Sequence, residues 1–538
     1  MKKNVLALSI SAALCGLGMV GSAYAITDLG VAASVGAATQ LKGNNDGVGH
    51  NLIVPYYTAQ GKNATAFTLT NTTAQGKAVK VRFRGAENSD DVLDFQVFLS
   101  PYDVWTASVS QAATGEAMIT TTDKSCTKPA FTSGTGVNFR TGRLSAATNV
   151  AGTREGYIEI FNMADVTGTV LTAITHTSAG VPKDCAAAAF TALDTDMAQA
   201  AYVGLALPTT GLVANYIIIN TTTGTSWSGQ AAATQALTAA GAPTTGNLVY
   251  WPQMATGVGV NVSGWTADPL LTGVTPIVTP TMQDLPDMST PYISGLAPTA
   301  GVNFNAAGAY VAAANDQWAA KVQASKLTTS LAVTGVNNDF YVETGIGGAT
   351  DWVFTMPTRR YNAAVKYSTT SLVFTDYTKT DTAVPGTVVA AAPAAALPNL
   401  NYFDATNSAL SGSVICVSGL TPTMYNREEG TAAGSSVTFS PSTVITASFC
   451  GEAGVWALGQ TLAAGGSTNV LSSGIANVAQ GVSVNNFAAG WLNVATAGLG
   501  GRGLPVVGAS FSKASSDPAK TYGWSQPHTS SRIAGFVY

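Results

Sequence analysis

The chain has 538 residues, with 25 Lys or Arg, 29 Asp or Glu and 3 His, a net charge of −4, and only 10% of it is charged while 46% is hydrophobic. A typical soluble domain is about 25% charged, and a chain this poor in cations, with no basic stripe, excludes nucleic-acid binding driven by phosphate contacts. Thr, Ser, Asn, Gly and Ala replace the missing charge, a surface chemistry suited to packing against copies of the same chain or to burial in a matrix, since a dispersed monomer keeps itself apart with charge.

The first 25 residues read MKKNVLALSISAALCGLGMVGSAYA. Lys2 and Lys3 form a basic start, an apolar stretch follows, and AYA at Ala23 to Ala25 is a small-x-small cleavage site. This is the pattern of a secretory signal peptide. The mature chain is expected to start near Ile26, and Cys15 to leave with the leader. Loss of Lys2 and Lys3 leaves 23 basic against 29 acidic residues. No later run of 18 or more apolar residues occurs, so no transmembrane helix is expected in the mature chain.

Beyond the leader the sequence reads as strands. AFTLTN offers Phe67 and Leu69. In KAVKVRFR, Val79, Val81 and Phe83 alternate with Lys80, Arg82 and Arg84, which predicts a half-buried strand with a wet, basic face. FQVFLSP puts Phe95, Val97 and Leu99 on one face and stops at Pro101, as a ladder does. DVWTASV resumes with Trp105, Ala107 and Val109. Similar runs follow at 156–163, 215–222, 339–345, 351–357 and 371–377, rich in Thr, Val, Ile and aromatics and punctuated by Gly or Asn. Helix signals are few: an Ala-rich stretch at 186–201 and QWAAKVQASKL at 317–327, both expected to span sandwich edges.

The expected fold class is therefore mainly β, with antiparallel β-sandwich modules, long loops and a few short helices. The mature chain exceeds one typical domain. It is divided into an N-terminal β-rich region at 26–325 and a C-terminal one at 326–538. The Pro/Ala-rich stretch at 382–400 is a linker or a long surface loop.

Cys126, Cys185, Cys416 and Cys450 remain after export. An even count in an exported chain points to two disulfides, for which three connectivities are possible. Local pairing, Cys126–Cys185 and Cys416–Cys450, is expected because each pair then lies within one half. No CxxC or Cys-His spacing points to a metal.

Enzyme chemistry is poorly supplied. His50, His176 and His528 are far apart and outside any HExxH or HxH context, and no GxSxG elbow occurs. GLGGRG at Gly498 to Gly503 fits GxGxxG, but the strand-like LPVVGASF follows where the dinucleotide fingerprint needs a helix, so it reads as a glycine-rich turn. No catalytic residue is assigned and an enzyme is not expected. Trp105, Trp227, Trp251, Trp265, Trp352 and Trp491 either stack on sugars or fill sandwich cores.

One stretch stands out in a chain so short of charge: ENSDDVLD, residues 87–94, between two strands. Calcium takes six to eight oxygens from carboxylates, amides and carbonyls on a loop. Glu87, Asn88, Asp90, Asp91 and Asp94 supply such a set, and calcium is the one cofactor the sequence offers. The spacing is not that of an EF-hand. A solvated turn that keeps a sheet end unpaired would use the same residues. So would a bend neutralised by a neighbouring subunit, or by Arg82 and Arg84 on the preceding strand.

The segments HNLIVPYYTAQGKNATAFTLTNTT, KAVKVRFRGAENSDDVLDFQVFLSPYDVWTASV, REGYIEIFNMADV, TDWVFTMPTRRY and GLPVVGASF resemble large secreted β-rich cell-surface proteins of Gram-negative bacteria, described as surface or surface-layer proteins. The resemblance implies an extracellular structural role on the outer face of the envelope and transfers no functional residues. The expected function is a secreted structural protein that self-assembles into a surface layer, matrix or filament. Its expected partners are copies of itself and envelope polysaccharide. The alternative is an extracellular adhesin or carbohydrate binder. A third reading, an outer-membrane β-barrel, draws on the aromatic IAGFVY terminus, but Arg532 breaks the alternation and the strands lack regular ten-residue spacing.

Overall fold

The computed structural model describes residues 36–146, 148–194, 204–255, 265–272, 277–293, 303–304, 310–311, 317–375, 401–432, 447–463, 465–517 and 520–532. The leader at 1–25, the 382–400 stretch and the terminal IAGFVY lie outside the described residues.

Up to residue 237 the strands are β1 (Gln40–Asn44), β2 (Asn51–Thr58), β3 (Asn63–Asn71), β4 (Gly76–Gly85), β5 (Asp91–Leu99), β6 (Val104–Gln111), β7 (Ala117–Thr120), β8 (Cys126–Lys128), β9 (Val137–Asn138), β10 (Glu155–Val166), β11 (Leu205–Ala206), β12 (Leu212–Asn220), β13 (Ser226–Gln230) and β14 (Ala232–Leu237). They form two antiparallel sheets. The first runs β1-β14-β2-β10-β4-β5-β8 with β11 on β10, and the second runs β13-β12-β3-β6-β7-β9. Val79, Val81 and Phe83 of β4 and Phe95 and Val97 of β5 share one core with Phe67 and Leu69 of β3 and Trp105 and Val109 of β6. Phe67 meets Phe83 edge-on at 5.8 Å, and Phe95 tilts against Trp105 at 5.5 Å. Alternation in the sequence has become two facing sheets. In β3 it is complete: Asn63, Thr65, Phe67, Leu69 and Asn71 are buried, and the residues between them are half-buried on the outer face.

Further on come β15 (Asn303–Phe304), β16 (Tyr310–Val311), β17 (Ala332–Val333), β18 (Gly335–Tyr341), β19 (Ala349–Thr355), β20 (Ala363–Lys366), β21 (Ser371–Phe374), β22 (Ser408–Ser411), β23 (Val414–Asn426), β24 (Thr431–Ala432), β25 (Ala447–Cys450), β26 (Ala453–Leu458), β27 (Ala479–Val482), β28 (Ala489–Thr496), β29 (Leu504–Pro505), β30 (Val507–Asp517), β31 (Lys520–Pro527) and β32 (Thr529–Ser531). A third sheet runs β22-β23-β28-β18-β32, with β24 and β25 on β23; a fourth runs β27-β26-β19-β30-β31. Phe340 of β18, Leu492 and Val494 of β28 and Met424 of β23 pack with Trp352 and Phe354 of β19 and Trp456 of β26. The fourth sheet is also covered on its other face. Val353, Val455 and Phe511 belong to the first core, and Phe511 lies 6.4 Å from Tyr56 of β2. Every residue of β19 is therefore buried, and apolar packing continues across residue 325.

The chain is mainly β, in antiparallel sandwiches, as the alternation predicts. One local expectation is corrected. The polar face of β4 is not wet: Lys80, Arg82 and Arg84 are 1%, 1% and 3% exposed. Residues from the segment 247–293 lie over Lys80 and Arg82, and Glu159 and Tyr361 meet Arg84. Lys80 Nζ donates to Gln253 Oε1 at 2.7 Å and to the Gln283 carbonyl at 2.6 Å. Arg82 donates to the carbonyls of Gln283, Asp284 and Pro286 at 3.1, 2.8 and 3.0 Å. Periodicity reports which side chains share a face and is silent on what covers it.

Helices among the described residues are α1 (Asn149–Gly152), α2 (Gly168–Ile174), α3 (Ala188–Thr191) and α4 (Gln317–Leu331). The 186–201 stretch gives α3 and a 3-10 turn at Ala192–Asp194, and the rest of it falls outside the described residues. α4 packs against β1, the edge strand of the first sheet, and is largely buried there: Ala320, Ala324 and Leu327 are each 0% exposed. No helix among the described residues is long and apolar enough to cross a membrane.

Candidate functional site

The acidic bend joins β4 to β5, and it is buried. Glu87, Asn88 and Asp90 are 1% exposed and Asp91 is 9% exposed, which corrects the expectation of a surface bend. What covers it is a turn from the other half of the chain. After β19 the segment Met356-Pro357-Thr358 leads into a 3-10 turn, Arg359–Tyr361, whose three residues are all buried.

Two arginines of that turn reach the bend. Arg360 donates to Asp90 Oδ1 and to Asp268 Oδ2, each at 2.8 Å, and to the Asn88 carbonyl at 2.9 Å. Arg359 pairs with Glu452 at 2.7 Å and donates to the carbonyls of Ile415 at 2.7 Å and Glu87 at 3.4 Å. The bend's own strands supply the other cations. Lys80 meets Asp94 at 2.6 Å, Arg82 meets Asp91 at 2.9 Å, and Arg84 meets Glu159 at 3.1 Å. Among the described residues Glu87 has no cation within salt-bridge distance; it accepts from the hydroxyls of Ser145, Ser413 and Thr148. Asn88 donates to Tyr367 Oη at 2.9 Å and to the Ser413 carbonyl at 2.7 Å, and accepts from the Ile415 amide at 3.1 Å. The Tyr367 hydroxyl donates to Asp90. Opposite, the Glu452 amide donates to the Ala86 carbonyl at 2.7 Å. The approach is so close that a Cβ on Gly451, which has φ +84°, would stand 2.7 Å from that carbonyl oxygen.

This arrangement fastens the two halves to each other through buried, mutually satisfied charges. Of the four carboxylates assigned to calcium, Asp90, Asp91 and Asp94 face the chain's own cations, which matches the internal-partner alternative, while Glu87 faces hydroxyls. Among the described residues no three His, Cys, Asp or Glu side chains converge as a metal site.

Burial sets the titration of these groups. It lowers Lys80 to about 8 even with Asp94 against it. Burial, with the charge of Asp94 added, pushes Asp91 up; against the same cost of burial, Lys80 and Arg82 hold Asp94 below the usual carboxylate range. Away from the bend, burial raises Asp287 and Asp351 to about 6, opposed by hydrogen bonds to each. Asp351 has an ordinary value of 3.8. As pH falls it therefore binds its proton first in the folded state, so folding gains stability from pH 6 towards pH 4 and loses it as pH rises. Asp351→Asn removes that gain. Its stability is expected to fall behind that of the parent by about 1 kcal/mol per pH unit between pH 6 and 4. Urea unfolding at pH 6, 5 and 4 measures this, and parallel curves for the two proteins would contradict it.

The other residues singled out in the sequence scatter. Cys126 is bonded to Cys185 and Cys416 to Cys450. His50 Nε2 lies 2.9 Å from the Thr244 carbonyl, and burial lowers its pKa to about 3. His176 lies 3.1 Å from the Ser100 hydroxyl, and His528 2.9 Å from the Val353 carbonyl. The GLGGRG run is a turn containing a 3-10 segment, Leu499–Gly501, and leads into β29. Trp105, Trp251, Trp265 and Trp352 are 0% exposed and Trp227 is 2% exposed, as core residues. Trp491 differs, at 41% exposed. It stacks on Tyr425 with ring centroids 4.2 Å apart and planes 8° apart. Register puts it between Tyr425 of β23 and Asp339 of β18. With Tyr341 these line an open cleft of about 570 Å³.

Arg359, Arg360 and Glu452 are the residues that sequence reasoning passed over. The signal was present: adjacent arginines in a chain with 25 basic residues in 538 deserved the same question as the adjacent aspartates. Comparison of the chain with protein-family models, with curated proteins and with solved structures finds no match.

Proposed function

We propose that the chain is an exported structural protein of the cell surface that assembles with copies of itself into a layer, matrix or filament. The observation that carries the reading is where the charge has gone. Nineteen charged side chains are buried among the described residues, in a chain with 25 basic and 29 acidic residues in all. The outer surface is left poorer in charge than the composition alone implies. On the outer face of the second sheet, Thr68 of β3 lies between Thr106 of β6 and Asn215 of β12, and Ala66 lies between Ser108 and Ile217. These rows hold no charged side chain. Covering hydroxyls and methyls with a second copy costs far less than covering ions.

Negative-stain microscopy and sedimentation of residues 26–538 test the reading. Concentration-dependent sheets or filaments are expected. A Thr68→Lys/Thr106→Lys variant, which places cations on the outer face, should keep its melting temperature and lose assembly. A parent chain that stays monomeric across salt, pH and concentration would overturn the proposal. The exposed Trp491, stacked on the half-buried Tyr425, favours a second reading, a monomeric saccharide binder, which that monomeric outcome would bring forward.

A further inference from the structure

One cleft gathers cations in a lining that holds no described acid. Lys77, Lys80, Arg82, Arg84, Lys128, Arg143, Arg359 and Arg360 each have a carboxylate within 3.1 Å. Lys42 of β1, Lys326 of α4 and Arg532 after β32 have no carboxylate within salt-bridge distance among the described residues. Yet they line the same cleft, of about 340 Å³, together with Arg502, and no described acid lines it.

The four cations come from four separate places in the chain, and the fold fixes two of them in position. Arg532 Nη1 donates to the Ser330 carbonyl at 2.6 Å. Arg502 is carried by the glycine turn at 498–503; it donates to the Leu499 carbonyl at 3.1 Å and lies over the Tyr402 ring at 4.9 Å. The Tyr402 hydroxyl is itself tied to the Thr329 hydroxyl at 2.5 Å. Burial lowers the pKa of Lys326 and no carboxylate offsets it. Cations gathered in a concave site whose described lining holds no acid focus a positive potential outward and raise the local concentration of anions. In a chain of net negative charge such a lining suits an oxyanion.

We propose that this cleft binds an acidic saccharide, a sugar unit bearing carboxylate or phosphate groups. The cations supply the charge, and Thr329 and Asn45 supply hydroxyl and amide partners for sugar hydroxyls. A membrane surface fits less well, because none of the exposed large apolar side chains, such as Ile277, Ile346 or Tyr522, lines the cleft. A nucleic-acid strand would need a basic groove extending well beyond one such cleft. The inference does not rest on self-assembly.

Calorimetric titration of residues 26–538 at low salt tests it, with oligogalacturonate, glucose 1-phosphate, neutral maltohexaose and inorganic phosphate as probes. At least one of the two acidic saccharides is expected to bind, more weakly as salt rises, and maltohexaose is not. Arg532→Met is expected to weaken that binding tenfold or more. Lys42→Met, at a half-buried position on β1, should do the same and serves if the first variant fails to fold. Binding of neither acidic saccharide overturns the proposal, and so does binding unchanged in both variants. Inorganic phosphate binding as tightly as the saccharides would also overturn it, marking a free-anion site.

Discussion

Arg359→Met is expected to lower the stability of the fold by about 3–5 kcal/mol, and adding Glu452→Met to recover most of that loss. Both side chains of the pair are 0% exposed and their charged atoms lie 2.7 Å apart. In such a place the attraction between the ions roughly offsets the cost of drying them, so the pair as a whole contributes little. Removing one partner leaves the other dry and uncompensated. Replacing both with apolar groups of similar volume removes the cost along with the attraction. The same logic gives a pH signature. Burial already pushes Glu452 above its ordinary value with Arg359 in place. Without the guanidinium the carboxyl holds its proton to still higher pH, and the folded variant binds a proton that the unfolded chain does not. Its deficit against the parent should therefore be smaller at pH 5 than at pH 8. Urea unfolding of the parent, both single variants and the double variant at the two pH values measures this. A loss below about 1 kcal/mol for Arg359→Met, with no recovery in the double variant, would mean that this contact does not fasten the two halves.

What the sequence makes legible here is local. Alternation in KAVKVRFR and FQVFLSP places Val79, Val81, Phe83, Phe95 and Val97 in one core, because period two follows from backbone geometry alone. The same alternation misjudges Lys80, Arg82 and Arg84. Lys80 and Arg82 are covered by Gln253 and Gln283 to Pro286, some 170 to 200 residues away, and Arg84 meets Glu159 and Tyr361, and no window of eight residues contains that. The acidic bend fails for the same reason. Crowded carboxylates announce that a cation is near, but calcium, a neighbouring subunit and the chain's own arginines leave the same trace in ENSDDVLD. Only the position of Arg360, 270 residues from Asp90, separates them. GLGGRG is similar. Its glycines mark a turn, while the use of that turn to hold Arg502 over Tyr402 is a tertiary fact.

Loss of the Cys416–Cys450 bridge is the second large effect. Its 34-residue separation corresponds to about 4 kcal/mol in the chain-entropy account, so Cys416→Ala/Cys450→Ala should lower stability by about that amount. The 59-residue separation of Cys126 and Cys185 gives a similar figure, about 4 kcal/mol. The two bridges should nevertheless behave differently towards the joint. Ile415, beside Cys416, gives its carbonyl to Arg359 at 2.7 Å and to the Gly451 amide at 3.0 Å, and its amide donates to Asn88 of the bend. Cys450 leads through Gly451 directly to Glu452. The second bridge therefore holds two of the partners of Arg359, Ile415 and Glu452, and once Arg359 is gone part of what it holds has already been lost. Combining Arg359→Met with Cys416→Ala/Cys450→Ala should cost less than the two changes taken separately, by about 1 kcal/mol. Cys126 and Cys185 share no partner with Arg359, so Cys126→Ala/Cys185→Ala combined with Arg359→Met should be additive to within about 0.5 kcal/mol. Equal coupling to both bridges would show that the bend and the second disulfide do not act as one fastening.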